Sequence, residues 1–566
     1  MKTRVIASLL AVLMLSALFP AGAGAAPSYT EYELYVERPA AEAGSNYYHG
    51  AKFEPKTGAY LGIYAEGDEK MHDWNVGTYS GWYFGQVPRY TGRQHAAYML
   101  YVHYDEPDAI SHYASHFKAA KELGKAIQIC IEPTNGLDEV QNDAHLRALA
   151  EQANDAGIPL LIRFASEFND SGNSWHKDGP EKYIEKFRIV ADAFHACAPN
   201  AAMAWVPNDW PIGSEDAYYP GDEYVDWVGV ASYPVFYESG APKQANTWMD
   251  RFHLLYEKYG ARKPIFISEG APSATVESHP EQNVTDAAQY EIRRFYAGAA
   301  RRYPNLKLII YWSEDESWGR LIHCQLTNNA ALMDAYKSAI ADPYYLGDFN
   351  TSSGIYYQKV AETTMKPQAE KLSCYVNDVK NRVAKACYYI DDTYVGEGYF
   401  PDYTASVNFA PYAGKTVSLR ADFYNEQDVY VTAKTLKVAV GGGAAAPAAS
   451  GPSVTVGGKA VAWTDAAPFI DANSRTMVPL RAVGDALGLK VEWNDAKREA
   501  SFTDGTKTLY FPIDSATAHT DGGEEIKMDT AAVIVNDRTY APVRYLAEFF
   551  GHTVEWDGKT STVVIK

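Results

Sequence analysis

Two glutamates close two apolar runs that lie about a hundred residues apart. LLIRFASEFND, beginning at Leu160, carries Arg163, Ser166, Glu167 and Asn169, and KPIFISEGAPS, beginning at Lys263, carries Glu269. A buried parallel strand reads as a continuous apolar run, so a carboxylate ending such a run stands at the rim of a sheet. An acetal is cleaved by two such groups. One protonates the leaving oxygen, and the other stands on the far side of the anomeric carbon. A single strand-end acid also reads as an ordinary solvated residue, so the pair is weighed with its neighbours. Arg163 precedes Glu167 by four residues, on the same side if the segment stays extended. A guanidinium there holds a carboxylate ionised by charge and bidentate hydrogen bonding. Asn169 offers a donor to a sugar hydroxyl, Trp312 a stacking face, and Tyr233 a phenol for the carboxylate of Glu269. Trp312 and Tyr233 also read as aromatic core.

Something must bring these ends together. Eight runs read as strands: LGIYAE (61–66), AYMLYVHY (97–104), KAIQICIEP (125–133), IPLLIRFASE (158–167), AMAWVPND (202–209), VDWVGVASYPVF (225–236), KPIFISEG (263–270) and LKLIIYWSE (306–314). Between them lie stretches such as DAHLRALAEQANDAG (143–157), apolar at helical spacing and stopped by Gly or Pro. Strand–helix alternation repeated about eight times over some 300 residues predicts an α/β fold, a (β/α)8 TIM barrel over 27–345. Glu167 then ends the fourth strand and Glu269 the seventh, on the face where such barrels carry their chemistry.

Beyond the barrel the pattern changes. Residues 371–440 alternate as strands and predict a small immunoglobulin-like β-sandwich. Residues 441–452 form a Gly/Ala-rich flexible tether. RTMVPLRAVGDALGLKVEWND (475–495) recurs as RTYAPVRYLAEFFGHTVEWDG (538–558), a shift of 63 residues, with Pro479/Pro542, Arg481/Arg544, Gly488/Gly551 and Trp493/Trp556 in register. Each copy reads as a short helix and a strand, which makes 453–566 a compact α+β module.

The chain opens with Lys2 and Arg4, an apolar stretch to Phe19 and small residues to Ala26, a secretory signal over 1–26. The mature protein is therefore expected outside the cell. A formal charge of −20 over 566 residues argues against nucleic acid and anionic membrane as partners. The five cysteines show no metal spacing, and no cofactor is called for. Cys374 and Cys387 are expected either to pair or to stay free.

The segments RFASEFN, YYPGDEYVDWVGVASY (218–233) and PIFISE, with weaker support from ICIEP and AWVPND, carry a family resemblance. Residues 50–340 resemble glycoside hydrolase family 26, a retaining group typified by endo-β-mannanases. The resemblance implies Glu167 as general acid/base and Glu269 as nucleophile. It also implies a cleft lined by Glu132, Trp205, Asn208, Tyr233 and Trp312. Those mannanases carry histidine before the acid/base, where this chain has Ser166. A hydroxyl has neither the reach nor the protonation of an imidazole, so xylan, mixed-linkage glucan and bacterial exopolysaccharide stand beside mannan as substrates. The sandwich resembles bacterial Ig-like spacers. Residues 453–566 resemble the copper amine oxidase N-terminal domain, although His519 and His552 alone are a poor copper set. A cell-wall polymer is a further partner expected of that module. A catalytically silent glycan-binding or surface protein is the competing reading.

Overall fold

The computed structural model describes residues 30–566 except 45–46, 69, 72–82, 212, 235–236, 239–240, 243–246, 277–278, 316–321, 443–452, 462–467, 472–474, 496, 536–537 and 558–561. The segment read as a secretory signal and most of the stretch read as a tether lie outside the described residues.

All eight strands form. They are β1 (Ala59–Tyr64), β2 (Ala97–His103), β3 (Ala126–Glu132) and β4 (Leu160–Phe164), then β5 (Ala201–Trp205), β6 (Trp227–Ala231), β7 (Ile265–Gly270) and β8 (Leu306–Trp312). They run parallel in chain order, and β8 closes on β1 from Leu308–Tyr60 to Trp312–Tyr64. Six of the eight are buried at every position; β2 and β3 become half-buried only at Tyr101, His103 and Glu132. The barrel mouth therefore opens over the ends of β2 and β3.

Helices α1 (Tyr83–Thr91), α2 (Ala114–Leu123), α3 (Ala144–Asp155) and α4 (Gly179–Cys197) follow β1 to β4. Helices α5 (Trp248–Tyr259), α6 (Thr285–Arg302) and α7 (Ala330–Ala339) follow β6 to β8. Local chemistry sets their ends: the Asp143 side chain accepts from Leu146 N to start α3, and Thr247 with Asp250 forms a capping box on α5. The slot after β5 departs from the expected alternation. Two 3₁₀ turns, Glu215–Tyr218 and Asp222–Tyr224, stand there. Pro220 and Gly221 between them do not sustain a helix.

The sandwich is larger than the 371–440 read from sequence, and it includes residues read as barrel. Strand Glu31–Pro39 pairs antiparallel with Ile355–Lys359 on one side and Ala369–Asn377 on the other. Ala405–Asn408 completes this sheet, and a second sheet runs Thr393–Tyr399, Val383–Ile390, Thr416–Asn425, Tyr430–Ala439. Leu34, Val36, Leu372, Ile390, Leu419 and Phe423 share one core between the two. The sandwich packs on α6 and α5: Arg301 Nε of α6 donates to Ser373 Oγ at 2.9 Å, Asn377 Nδ2 donates to Asp250 Oδ1 of α5 at 3.0 Å, and Tyr290 of α6 stacks on Phe400 at 4.7 Å. All five cysteines are free. Cys374 points into this core against the Tyr388 hydroxyl, 3.1 Å away, whereas Cys387 meets Glu397 on the opposite face of its sheet. Strand alternation therefore directs the two thiols apart.

Residues 442–566 form a second unit with its own core, including Val478, Leu480, Phe502, Leu546 and Ile565. Its repeat is β9 (Thr476–Pro479), α8 (Leu480–Ala486), β10 (Lys490–Asn494), then β11 (Arg538–Pro542), α9 (Val543–Phe549), β12 (Val554–Asp557). β9 and β11 pair antiparallel as Met477–Pro542, Val478–Ala541 and Pro479–Tyr540. Moving each residue by 63 interchanges the outer pairs, so the copies are related by a local two-fold through Val478 and Ala541.

Candidate active site

The interior of the barrel is layered by strand alternation. Gln128 faces inward on β3, where its Nε2 contacts Met99 and its Oε1 accepts from Ser268 Oγ at 2.9 Å. One layer higher come Tyr101, Cys130 and Arg163, and above them His103 and Glu132, which are register partners on β2 and β3. Glu269 enters this stack from β7. Its pairing with β6 slips between Ile267 and Glu269, a bulge of the kind that re-aims a side chain. The next residue has to be glycine: a Cβ on Gly270 would lie 2.1 Å from the Ser232 carbonyl oxygen.

Glu269 Oε2 receives two donors, Arg163 Nη1 at 2.7 Å and the Tyr101 hydroxyl at 2.5 Å. Glu269 is 5 % exposed and Arg163 fully buried, which makes this a charge-assisted pair in a low-dielectric setting. Burial alone would drop the Arg163 pKa, but Glu269, Cys130, Tyr101 and Glu167 together outweigh it and hold the guanidinium protonated. Burial, then the Glu269 charge, pushes the Tyr101 phenol well up, which keeps it a donor. Tyr101 was missed in the sequence. Nothing local marks it: it stands inside the run AYMLYVHY, two residues before His103 on the same face of the strand.

Arg163 was expected to serve Glu167. The segment after β4 does not stay extended: Ala165 (φ 50°) and Glu167 (φ 51°) are both left-handed, a costly conformation for residues with a Cβ. The turn is held by Trp175 Nε1 on Ser166 O at 2.9 Å and Asn173 Nδ2 on Glu167 O at 3.0 Å. It sends Glu167 to β5, where Asn208 Nδ2 donates to its Oε1 at 2.5 Å. Glu167 still lies within the electrostatic field of Arg163. One guanidinium thus serves Glu269 by contact and Glu167 at longer range.

The other expected cleft residues divide. Asn169 does not face a sugar; its amide spans Asn208 O at 2.9 Å and Asn208 N at 2.8 Å, which orients the Asn208 that holds Glu167. Trp205 is core. Ala204 is its inward neighbour beside Arg163, so Trp205 faces outward, packs on Phe168, Tyr219 and Tyr259, and is 0 % exposed. Trp312 lies in the mouth, stacked on Tyr64 at 4.4 Å, with Tyr101 and Tyr233 meeting it edge-on at 6.4 Å. Tyr233 O accepts from Arg251 Nη1 at 2.6 Å. Ser166 neighbours the Glu132 carboxyl.

Burial pushes the Glu132 pKa up to about 7; Arg163 pulls it down, Glu269 raises it, and Ser166 lowers it. The folded chain therefore holds a proton on Glu132 between pH 4.5 and about 7 that the unfolded chain has released, and stability falls as pH rises through that window. Glu132→Gln is expected to remove this slope. The stability of the variant relative to the native chain should grow across the window, by the order of 3 kcal/mol at most, and level off above it. Urea unfolding on both sides of the window checks this, and a pH-independent difference would refute it.

Residues 95–253 match the family model for glycosyl hydrolase family 26. The match runs from just before β2 into α5. Within the matched stretch stand Glu132, Arg163, Ser166, Glu167, Asn208 and Tyr233, whereas Glu269 lies beyond its end. Residues 455–565 match the copper amine oxidase N-terminal domain; among the described residues no cluster of three or more His, Cys, Asp or Glu forms a metal site. Endoglucanase H of Acetivibrio thermocellus is 26 % identical over 179 residues, 29 % of this chain and 20 % of that protein. Beta-1,3-xylanase TXYA of a Vibrio species is 29 % identical over 146 residues, 24 % of this chain and 29 % of that protein. The chain spans less than a third of the length of either relative. An endo-beta-1,4-mannanase double mutant from Cellulomonas fimi superposes with a TM-score of 0.39 at 15 % identity, covering 68 % of this chain and 94 % of the other.

Proposed function

We propose that the protein is a secreted, retaining endo-acting glycoside hydrolase of a β-linked polysaccharide, with Glu269 as nucleophile and Glu167 as acid/base. The observation that carries this reading is the seating of Glu269 Oε2 between Arg163 at 2.7 Å and Tyr101 at 2.5 Å, on the rim that also holds Glu167. A carboxylate kept ionised and aimed by two donors is equipped to attack carbon. In the first displacement a Glu269 oxygen bonds to the anomeric carbon, the glycosidic C–O bond breaks, and the leaving oxygen takes the proton of Glu167. In the second, Glu167 takes a proton from water, the water oxygen bonds to the anomeric carbon, and the ester to Glu269 breaks. Esterification removes the Glu269 charge, which lowers the Glu167 pKa when that group must act as base. The residues need no metal for either step.

Ser166 in the place of histidine, together with relatives named as an endoglucanase and β-1,3-xylanases, favours a β-xylan or β-glucan over mannan. The opening 26 residues support export. Reducing-end release over β-1,3-xylan, mixed-linkage β-glucan and β-mannan tests the reading. We expect release from xylan or glucan, with the first product keeping its anomeric configuration by NMR. Binding without release across the panel would favour the silent glycan-binding alternative, and an inverted product would remove the nucleophile role of Glu269.

A further inference from the structure

The C-terminal unit holds a cavity of about 400 Å³ bounded by α8, β10 and β11, toward the lower end of the range for small-ligand sites. Two aromatic rings line it: Phe502, fully buried, and Trp493, 38 % exposed, the ring that offers the open face. Around the ring stand Arg481, Glu492, Asp495, Arg538 and Thr539. Trp493 Nε1 donates to Asp495 Oδ1 at 2.5 Å, which fixes the indole by its edge.

An exposed hydrophobic residue standing alone needs no explanation. This one does not stand alone. The local two-fold of the repeat carries Trp493 onto Trp556, which is 46 % exposed. The same shift of 63 carries Arg481 onto Arg544, Arg538 onto Arg475 and Thr539 onto Thr476. Trp493 thus has one arginine from its own repeat and one from the other, and the repeat assigns Arg544 and Arg475 to Trp556 in the same way. Neither ring is part of the unit's core, so packing does not account for the recurrence.

The chemistry of the first site narrows its ligand. Two arginines and two carboxylates balance, which suits neither an anion nor a cation. A planar aromatic face ringed by donors and acceptors suits a pyranose, with an apolar face for the indole and hydroxyls for the rim. We propose that residues 453–566 are a two-site polysaccharide-binding module in which Trp493 and Trp556 each stack on a sugar of one uncharged β-linked glycan. The first site stands on the module's own geometry and the second on the repeat and the exposure of Trp556; that the glycan is the polymer the barrel cleaves rests on the proposed function. Two weak sites on one rigid unit multiply their effect on a repeating polymer.

The test uses the full chain and depletion isotherms on insoluble β-1,3-xylan, insoluble β-glucan and purified peptidoglycan. Native protein is compared with Trp493→Ala, Trp556→Ala and the double variant; the barrel is the same in all four, so differences report the module. We expect capture by xylan or glucan, a loss of roughly tenfold for each single variant and of a hundredfold or more for the pair. Trp493→Phe, which keeps an aromatic face, should stay within about threefold of native. Native-like binding by the double variant would overturn the proposal, as would absence of capture by any of the three polymers. Tryptophan-dependent capture by peptidoglycan alone would overturn the choice of glycan. Tryptophan-dependent capture by a β-glycan without hydrolysis would strike the proposed function and leave the two sites standing.

Discussion

Glu269→Gln is expected to lower kcat by roughly 10⁴-fold or more, with little change in the affinity for polysaccharide. The amide keeps the shape of the side chain and a partner for Arg163 and Tyr101 but cannot form the glycosyl ester. Glu269→Ala goes further, because it leaves a fully buried guanidinium without its 2.7 Å counter-ion. Breaking a buried pair from one side costs about 3–5 kcal/mol, so the alanine variant should melt earlier as well as fail to turn over. Its cavity admits azide, and azide should restore part of the activity with the opposite anomeric configuration in the glycosyl azide. The product anomer is read by NMR. Full activity in either variant would end the assignment.

The second large effect is expected at Arg163, which touches no bond that breaks. Arg163→Met leaves the buried carboxylate of Glu269 without its 2.7 Å counter-ion, and an unpaired buried charge is costly. The nucleophile is active only as the anion. The acid limb of kcat/KM should therefore move to higher pH, and the plateau should fall by about 10²–10³-fold. Arg163→Lys keeps the charge without the planar fork and should recover most of the pH shift but less of the rate. A methionine variant with the native acid limb would show that Arg163 only fills space.

The strands were legible because six of them are buried throughout and must be apolar, and the chemistry-bearing ends were legible because a charge interrupts that rule. What each end touches was not. The partner of Arg163 depends on the left-handed turns at Ala165 and Glu167, which nothing in RFASEFN announces. Trp205 was misplaced by one position of alternation, since Ala204 takes the inward place beside Arg163. Tyr101 requires knowing that β2 and β7 face one another across a closed barrel. Pairing at long separation is equally silent: nothing in EYELYVERP says that its neighbours begin at Ile355 and Ala369.

That strand has a bearing on how the molecule is made. Tyr32 sits opposite Val376, so a ribosome must deliver the whole barrel before the strand Glu31–Pro39 can find its place. Closing so long a loop is entropically slow, and until it closes the flank of α6 that Ser373 and Phe400 cover stays bare. A fragment ending after β8 would meet the same bare flank permanently and should clump on expression.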